Sequence, residues 1–592
     1  MRTAPNDLSS SFTTTQKEYL HGFFAGAMQR VQRPYVGVDA QGLLTSDPAT
    51  GAKNLAAEDE PQVHGTPVSE LCREELWKYE QNPLAVWDKL LACADQDQPP
   101  QPDDLFRFKF HGLFYVAPAQ DSFMIRLRMP GGILKSHQLE GLAEIAEDWG
   151  SGSSDITTRA NLQIREFAPR TIVRLLNKVQ ALGLTARGAG ADNVRNITAS
   201  PTTGVDPTEL IDVRPLADAL HYYILNSPDL YDLPRKFNVA FDSGGTISVV
   251  ADTNDIGFTA VRVSEGKSLP PGVYFRVLLC GITGHQQLAA DCGILLTPEQ
   301  TVPVAAAMMR VFQANGDRTN RKKARLKYLV DKWGVERFLE ETEKRLSFPL
   351  PRFAATDCEP RTPVDRAAHI GVYPQKQQGL NYIGLSIPVG RFSAAHMRAV
   401  ADVARQYGSG EVRLTVWQNL LIPNVADVHL DAALAALRAN GLRYEAGTIL
   451  RGTVACTGSQ GCRYAAADTK SHAVQLANFL DERFRILQPV NLHLTGCPHS
   501  CAQHYVGDIG LRGTTVHGEE GYQVVIGGGS DTDSGLAREL IAAIPFADLP
   551  ATLEKFFLAY EQKRHTEEES LLAFCRRHSI EEMRAWLTHE SC

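Results

Sequence analysis

Four of the eleven cysteines fall in two short stretches, Cys456-Thr-Gly-Ser-Gln-Gly-Cys462 and Cys497-Pro-His-Ser-Cys501, with 34 residues between them. Four thiolates brought to one place are what an iron–sulfur cluster takes. Cys497 and Cys501 stand four apart and would share one face of a helix. Pro498 suits a first helical position with Cys497 as its cap, so the spacing predicts a helix whose free N–H groups and positive dipole end point at an anionic cluster. Gly458 and Gly461 would let the first stretch bend both sulfurs inward. Zinc is the main competing reading, because His493, His499 and His504 lie close by. The C-x5-C and C-x3-C spacings suit a zinc site poorly. Disulfides fit least, since nothing marks the chain as secreted.

The elements that must carry these loops are legible in an internal repeat. Residues 123–184 align without gaps on residues 381–442, at an offset of 258. Ile125, Leu127, Pro130 and Gly132 match Ile383, Leu385, Pro388 and Gly390, while Thr157, Asn161, Leu162 and Ile164 match Thr415, Asn419, Leu420 and Ile422. Each copy reads strand, helix, strand, helix, the pattern of a ferredoxin-like α+β half-module. Two copies at so long a period predict a pseudo-twofold body, not a solenoid. A weaker correspondence links Asp255-Ile-Gly-Phe258 with Asp508-Ile-Gly-Leu511, each leading to a strand and a turn: Cys280-Gly-Ile-Thr-Gly284 and Gly527-Gly-Gly529.

The copies part company in charge. Arg126 and Arg159 stand opposite Gly384 and Trp417, and the clustered cysteines occur only in the second half. A single site between the halves, with cations from one and thiolates from the other, would produce this asymmetry. Leu233-Pro-Arg-Lys-Phe-Asn238 places Lys236 and Asn238 two apart, on one face of an extended segment. The run from Arg318 to Lys327 carries six cations in ten residues, for which a solvated helix face is the ordinary explanation.

Composition sets the bounds. A chain of 592 residues, 43% hydrophobic and 22% charged, has the make-up of a multidomain globular protein. A net charge of −8 argues against general nucleic-acid binding. No apolar run is long enough for a membrane span, and the N-terminus lacks a signal-peptide pattern. An odd cysteine count then suggests a reducing compartment and a cytoplasmic location. Residues 1–105 read as a helical extension and linker: a helix over 15–26, a loop over 39–67, and an amphipathic helix over 71–95 broken near Pro83. No G-x-G-x-x-G follows a strand, so no nicotinamide or flavin domain is expected.

Together these residues resemble the siroheme-dependent nitrite and sulfite reductase family, from about residue 105 to 580. The specific pieces are Ala455-Cys-Thr-Gly-Ser-Gln-Gly-Cys462 and Thr495-Gly-Cys-Pro-His-Ser-Cys501. Met124 to Gly132, Asp155 to Arg165, Asp192-Asn-Val-Arg-Asn196, Leu233 to Asn238 and Asn315 to Lys323 support them. The resemblance implies a [4Fe–4S] cluster on Cys456, Cys462, Cys497 and Cys501, with Cys501 bridging to siroheme. It implies siroheme contacts from Arg159, Gln163, Arg318, Arg321 and Lys322, and substrate-side roles for Arg126, Arg195, Lys236 and Asn238. The implied fold is α+β, a duplicated pseudo-twofold body of ferredoxin-like half-modules and siroheme/iron–sulfur α/β modules. The expected divisions are 1–105, 106–190, 191–346, a linker at 347–367, 368–445 and 446–592. The implied reaction is six-electron reduction of nitrite to ammonium, with ferredoxin or flavodoxin as donor to a monomer. Sulfite reduction on the same cofactors is the alternative, and Lys-x-Asn in place of Lys-x-Lys favours the less charged anion, nitrite.

Overall fold

The computed structural model describes residues 60–588 apart from 118, 367–368, 446–447 and 487. The helix expected over 15–26 lies outside the described residues. So does most of the loop expected over 39–67, whose end is a small hairpin of β1 (Gln62–Val63) and β2 (Thr66–Pro67). Helices Arg73–Glu80 and Trp87–Gln96 follow. They are separate because Pro83 between them can supply no helical N–H.

The first copy of the repeat contributes β3 (Leu113–Val116), β4 (Ser122–Arg126), β5 (Ile133–Lys135), β6 (Ser153–Ile156) and β7 (Leu162–Phe167). Its module continues with β8 (Thr198–Ala199), β9 (Val239–Asp242), β10 (Ile256–Val263), β11 (Gly272–Leu279) and β12 (Ala290–Leu296). The second copy contributes β13 (Gly371–Pro374), β14 (Leu380–Leu385), β15 (Arg391–Ser393), β16 (Glu411–Leu414) and β17 (Leu420–Ala426). It continues with β18 (Thr453–Ala455), β19 (Leu492–Thr495), β20 (Ile509–Val516), β21 (Glu519–Ile526) and β22 (Arg538–Pro545).

These strands make four five-stranded sheets in two matched pairs. The ferredoxin-like sheets run β15-β6-β7-β4-β3 and β13-β14-β17-β16-β5. Each takes one edge strand from the other half: Arg391 pairs with Asp155, and Lys135 pairs with Glu411. This reciprocal exchange builds the seam into the backbone ladders. Helices Ser136–Trp149 and Ala394–Tyr407 begin directly after the exchanged strands. Leu139, Leu142, Ala143 and Ala146 of the first share one core with Met397, Val400, Ala401 and Ala404 of the second. Ser393 caps the second helix by accepting from the His396 N–H at 3.1 Å.

The other two sheets run β12-β11-β10-β9-β8 and β18-β19-β20-β21-β22, each with its own core. The weak repeat in the sequence is real at this level. Ile256 and Ile509 each pair in parallel with the preceding strand and antiparallel with the next. Cys280 takes φ +76° where its counterpart Gly527 takes +77°. Their N–H groups donate to the Asp255 and Asp508 carbonyls, so the turn keeps its shape despite the side chain. Among the described residues no helix is long and apolar enough to cross a membrane.

Candidate active site

The first cysteine loop leaves the C-terminal end of β18, where a parallel sheet commonly places a ligand. Gly458 turns it at φ +74°, and a Cβ there would sit 2.7 Å from the Thr469 nitrogen. Gly461 is needed for space instead: its Cβ would lie 2.9 Å from the Thr457 methyl and 3.1 Å from Arg165 Nη1. The second loop leaves β19. It is not the expected helix, because Ser500 and Gln503 adopt φ +54° and +56°, which ends any helical run. Two successive turns replace it, with the Ser500 N–H donating to the Cys497 carbonyl and the Gln503 N–H to the Ser500 carbonyl. The Ala502 N–H donates to Thr495 Oγ1, and His493 Nδ1 lies 2.8 Å from the Ala502 carbonyl.

The first half clamps this second loop. Thr158 Oγ1 donates to the Cys501 carbonyl at 3.0 Å, and Thr253 Oγ1 accepts from Gln503 Nε2 at 2.9 Å. The two loops also meet each other, since the Gly496 N–H lies 3.1 Å from Cys456 Sγ. Burial pushes the Cys501 thiol up to about 11, and the nearby Cys456, Cys497 and Cys462 push the same way against Lys236. Burial likewise raises Cys497. One zinc ion would need its donors around one point. Among the described residues no three Cys, His, Asp or Glu side chains gather that closely. Four thiols in one electrostatic neighbourhood suit a cluster, which offers each thiolate its own iron.

Opposite Cys501 stand the cations. Arg126 at the end of β4 pairs across the sheet with Gln163 on β7, so the two share a face. The Arg195 N–H donates to the Phe237 carbonyl and the Phe237 N–H to the Asn193 carbonyl. This pairing puts Arg195, Lys236 and Asn238 on one side while Phe237 enters the core. Arg126, Arg195 and Lys236 are half-buried and Cys501 keeps accessible surface, yet each is crowded by protein atoms. Both descriptions hold for side chains on the wall of a deep recess. Burial brings the Arg126 guanidinium down to about 10 and the Lys236 ammonium down to about 7, the latter helped by Arg325 and Arg195 and opposed by Cys501. Burial lowers Arg195 as well, with Arg126 adding to it. Among the described residues Arg126 and Lys236 make no ion pair. Arg195 Nε and Asn238 Oδ1 are buried without a partner. The unpaired cations and the orphaned Arg195 Nε donor call for an anionic ligand, and the Asn238 Oδ1 acceptor for a proton-bearing neighbour.

The residues expected to hold a tetrapyrrole divide. Burial also lowers Arg159, to about 10. Its guanidinium braces the Asn196 and Val239 carbonyls and Asn254 Oδ1. Gln163 is buried and accepts from Arg165 at 3.0 Å. The basic run is not one solvated helix face: Lys322 and Lys323 are exposed and Lys327 lies in the first turn of helix Leu326–Trp333, but the arginines turn inward. Arg318 is fully buried against Glu75, Asp232 and the Gln313 carbonyl. Arg321 makes a two-point pair with Asp192 at 2.7 and 2.8 Å, and Arg325 meets Asp255 at 2.7 Å. Arg165, which contacts the first cysteine loop, was not singled out from sequence. The repeat held the signal, since Arg165 falls opposite Pro423 just as Arg126 falls opposite Gly384.

The equivalent place in the second half is closed. The Asn238 N–H donates to Asp255 at 2.8 Å and the Asn491 N–H to Asp508 at 2.7 Å, so the two backbones correspond. There Trp417 takes the position of Arg159 and packs on His369 and His493 at 5.9 Å each. A cavity of about 20 Å³ remains. Burial lowers both His369 and His493 to about 4. Since their folded values lie below the unfolded one, acid favours the unfolded chain. Stability should fall as pH drops from about 6.5 towards 4, by up to ~1.4 kcal/mol per pH unit for each histidine. Denaturant titrations at pH 7 and pH 5 check this, and His369→Gln should flatten the difference.

Comparison with known proteins agrees with this geometry. Residues 190–350 and 446–591 match the family described as nitrite and sulphite reductase 4Fe-4S domain. Residues 116–182 and 373–440 match the nitrite/sulfite reductase ferredoxin-like half domain. The chain belongs to the nitrite and sulphite reductase family. Among relatives, the ferredoxin–nitrite reductase of Synechococcus elongatus is 36% identical over 500 residues, covering 82% of this chain and 95% of the relative. The chloroplastic ferredoxin–nitrite reductase of Spinacia oleracea is 35% identical over 462 residues, covering 76% and 77%. The solved Mycobacterium tuberculosis NirA protein superposes with a TM-score of 0.79 at 28% identity, covering 87% of this chain and 98% of that one. Membership brings the family's cofactors, siroheme and a [4Fe–4S] cluster. The four thiols and the unpaired cations fit that pair.

Proposed function

We propose that this chain reduces nitrite to ammonium, with ferredoxin as electron donor. One observation supports the reading above others: the Arg126 and Lys236 cations lie within electrostatic reach of the Cys501 thiol, with Arg195 beside them and Asn238 on the same face as Lys236. Relatives named ferredoxin–nitrite reductases, at 36% and 35% identity, support it. In this reading Cys456, Cys462, Cys497 and Cys501 would hold the cluster, and Cys501 would also serve the siroheme. Siroheme and cluster, when bound, supply the electrons one at a time and a metal to receive the substrate.

The chain does the rest. Nitrite takes up six electrons and eight protons to give ammonium and two waters, so the recess must attract an anion and feed it protons. Arg126, Arg195 and Lys236 draw the anion in and hydrogen-bond its oxygens, in a setting where charge is weakly screened. An ammonium brought down to about 7 parts with a proton readily, whereas a guanidinium does not. Lys236 is therefore the assigned proton donor, and the arginines hold the oxygens. Arg159, Gln163, Arg321 and Lys322 would face the carboxylates of the tetrapyrrole. Arg318 is fully buried and ion-paired with Glu75 and Asp232, and we assign it to fastening helix Arg73–Glu80 instead. Both halves that build the site lie in one chain, which suits a monomer. The ten described cysteines are all free thiols, which suits a reducing cytoplasm.

Nitrite and sulfite turnover by the purified enzyme with reduced viologen tests this assignment. Nitrite should be the faster substrate, with ammonium as product. Sulfite turnover exceeding nitrite turnover would favour the sulfite reading. Asn238→Lys adds one positive charge to the recess and should move the kcat/KM ratio towards sulfite by about tenfold. An unchanged ratio would remove Asn238 as the discriminator.

A further inference from the structure

We propose that Arg165 is a positioning residue that holds the Cys456–Cys462 loop in its cluster-binding shape and keeps the cluster easier to reduce. The proposal rests on the reading that these thiolates carry a cluster. Arg165 belongs to β7 of the first half, yet its guanidinium reaches the cysteine loop of the second. Nη2 donates to Thr457 Oγ1 at 2.9 Å and Nη1 to the Gly461 carbonyl at 3.2 Å. One planar fork thus spans the loop from the residue after Cys456 to the residue before Cys462. A lysine has no such geometry and could not make both contacts at once.

The support behind the fork is rigid. Arg165 is 8% exposed and Lys470 3%. Both approach Asp155, Arg165 Nε at 3.4 Å and Lys470 Nζ at 2.7 Å. Lys470 also donates to the Val389 carbonyl, and its neighbour Thr469 donates through Oγ1 to the Cys456 carbonyl at 2.8 Å. Two cations around one carboxylate leave a net positive charge under the loop. A reduced cluster is more negative than an oxidised one, so that charge stabilises the reduced state.

The other half repeats the device from different positions. Arg413 on β16 pairs with Glu411 and donates to the Pro201 and Thr203 carbonyls, in the loop that leaves β8 as the cysteine loop leaves β18. Yet the residue in register with Arg413 is Asp155, and the one in register with Arg165 is Pro423. Each loop is therefore gripped by a buried arginine of the opposite half, so both grips cross the seam, and the two arginines come from non-equivalent positions of the repeat.

The holoenzyme carrying Arg165→Lys and Arg165→Gln tests this. Iron and acid-labile sulfide per chain, the rate of iron loss to a chelator, and the cluster's midpoint potential are measured. Arg165→Lys should lose iron about tenfold faster, as expected for one charge-assisted hydrogen bond, with its potential little changed. Arg165→Gln should lose iron as fast and also shift to a more negative potential. Wild-type iron retention in Arg165→Lys, or an unshifted potential in Arg165→Gln, overturns the inference. If an arginine variant fails to fold, Thr457→Val removes one acceptor and keeps the charge; it should speed iron loss alone, and wild-type retention there also overturns the inference. A wild-type chain without iron would instead overturn the cluster reading beneath it.

Discussion

Cys501→Ser should abolish the visible absorption of the tetrapyrrole and lower nitrite turnover by about three orders of magnitude or more, a barrier increase of ~4 kcal/mol. A serine hydroxyl is a hard donor that stays protonated at neutral pH, and it could not take the role proposed for the Cys501 thiolate, which is to serve cluster and siroheme together. The fold should survive, because the loop is held through groups that serine leaves in place. The Cys501 carbonyl accepts from Thr158, the Ala502 N–H donates to Thr495, and Gln503 reaches Thr253. Absorption spectra, iron analysis and far-ultraviolet circular dichroism on one preparation separate lost cofactor from lost fold. A serine variant with wild-type colour and turnover would sink the bridging role.

Lys236→Gln should retain both cofactors and lose about 10²- to 10³-fold in kcat/KM for nitrite, the usual loss for removing one preorganised charged donor. The size follows from the surroundings. The ammonium has no carboxylate partner among the described residues, and Arg325, Arg195 and Arg235 crowd it. A charge held there at such cost is strongly felt by an incoming anion. Lys236→Arg should restore affinity better than turnover, because arginine keeps the positive charge and gives up no proton. Steady-state rates with reduced viologen, normalised to siroheme absorbance, provide the check. Full activity in the glutamine variant would exclude Lys236 as the proton donor.

The basic run from Arg318 to Lys327 shows where sequence reasoning stops. As a string it is one patch of charge. In the fold its members part to acids far away in the chain: Arg318 to Glu75 and Asp232, Arg321 to Asp192, Arg325 to Asp255. A buried charge must find a counter-charge, and which one it finds depends on packing that local pattern does not encode. The expected helix at Cys497 failed for a related reason. Proline and spacing permit a helix there, but the loop must turn back towards β20, and Ser500 and Gln503 take left-handed conformations to do so.

The sequence alone determined the duplication, the four thiols, and that Lys236 and Asn238 share one face of their segment. Repeats and spacings are properties of a string, and side-chain alternation along a strand survives folding unchanged. Only the tertiary structure decided that the halves exchange edge strands, that Arg165 crosses the seam to the cysteine loop, and that the second, equivalent recess is filled by Trp417. Those features come from contacts between segments hundreds of residues apart, where register and burial are settled by the packed interior as a whole.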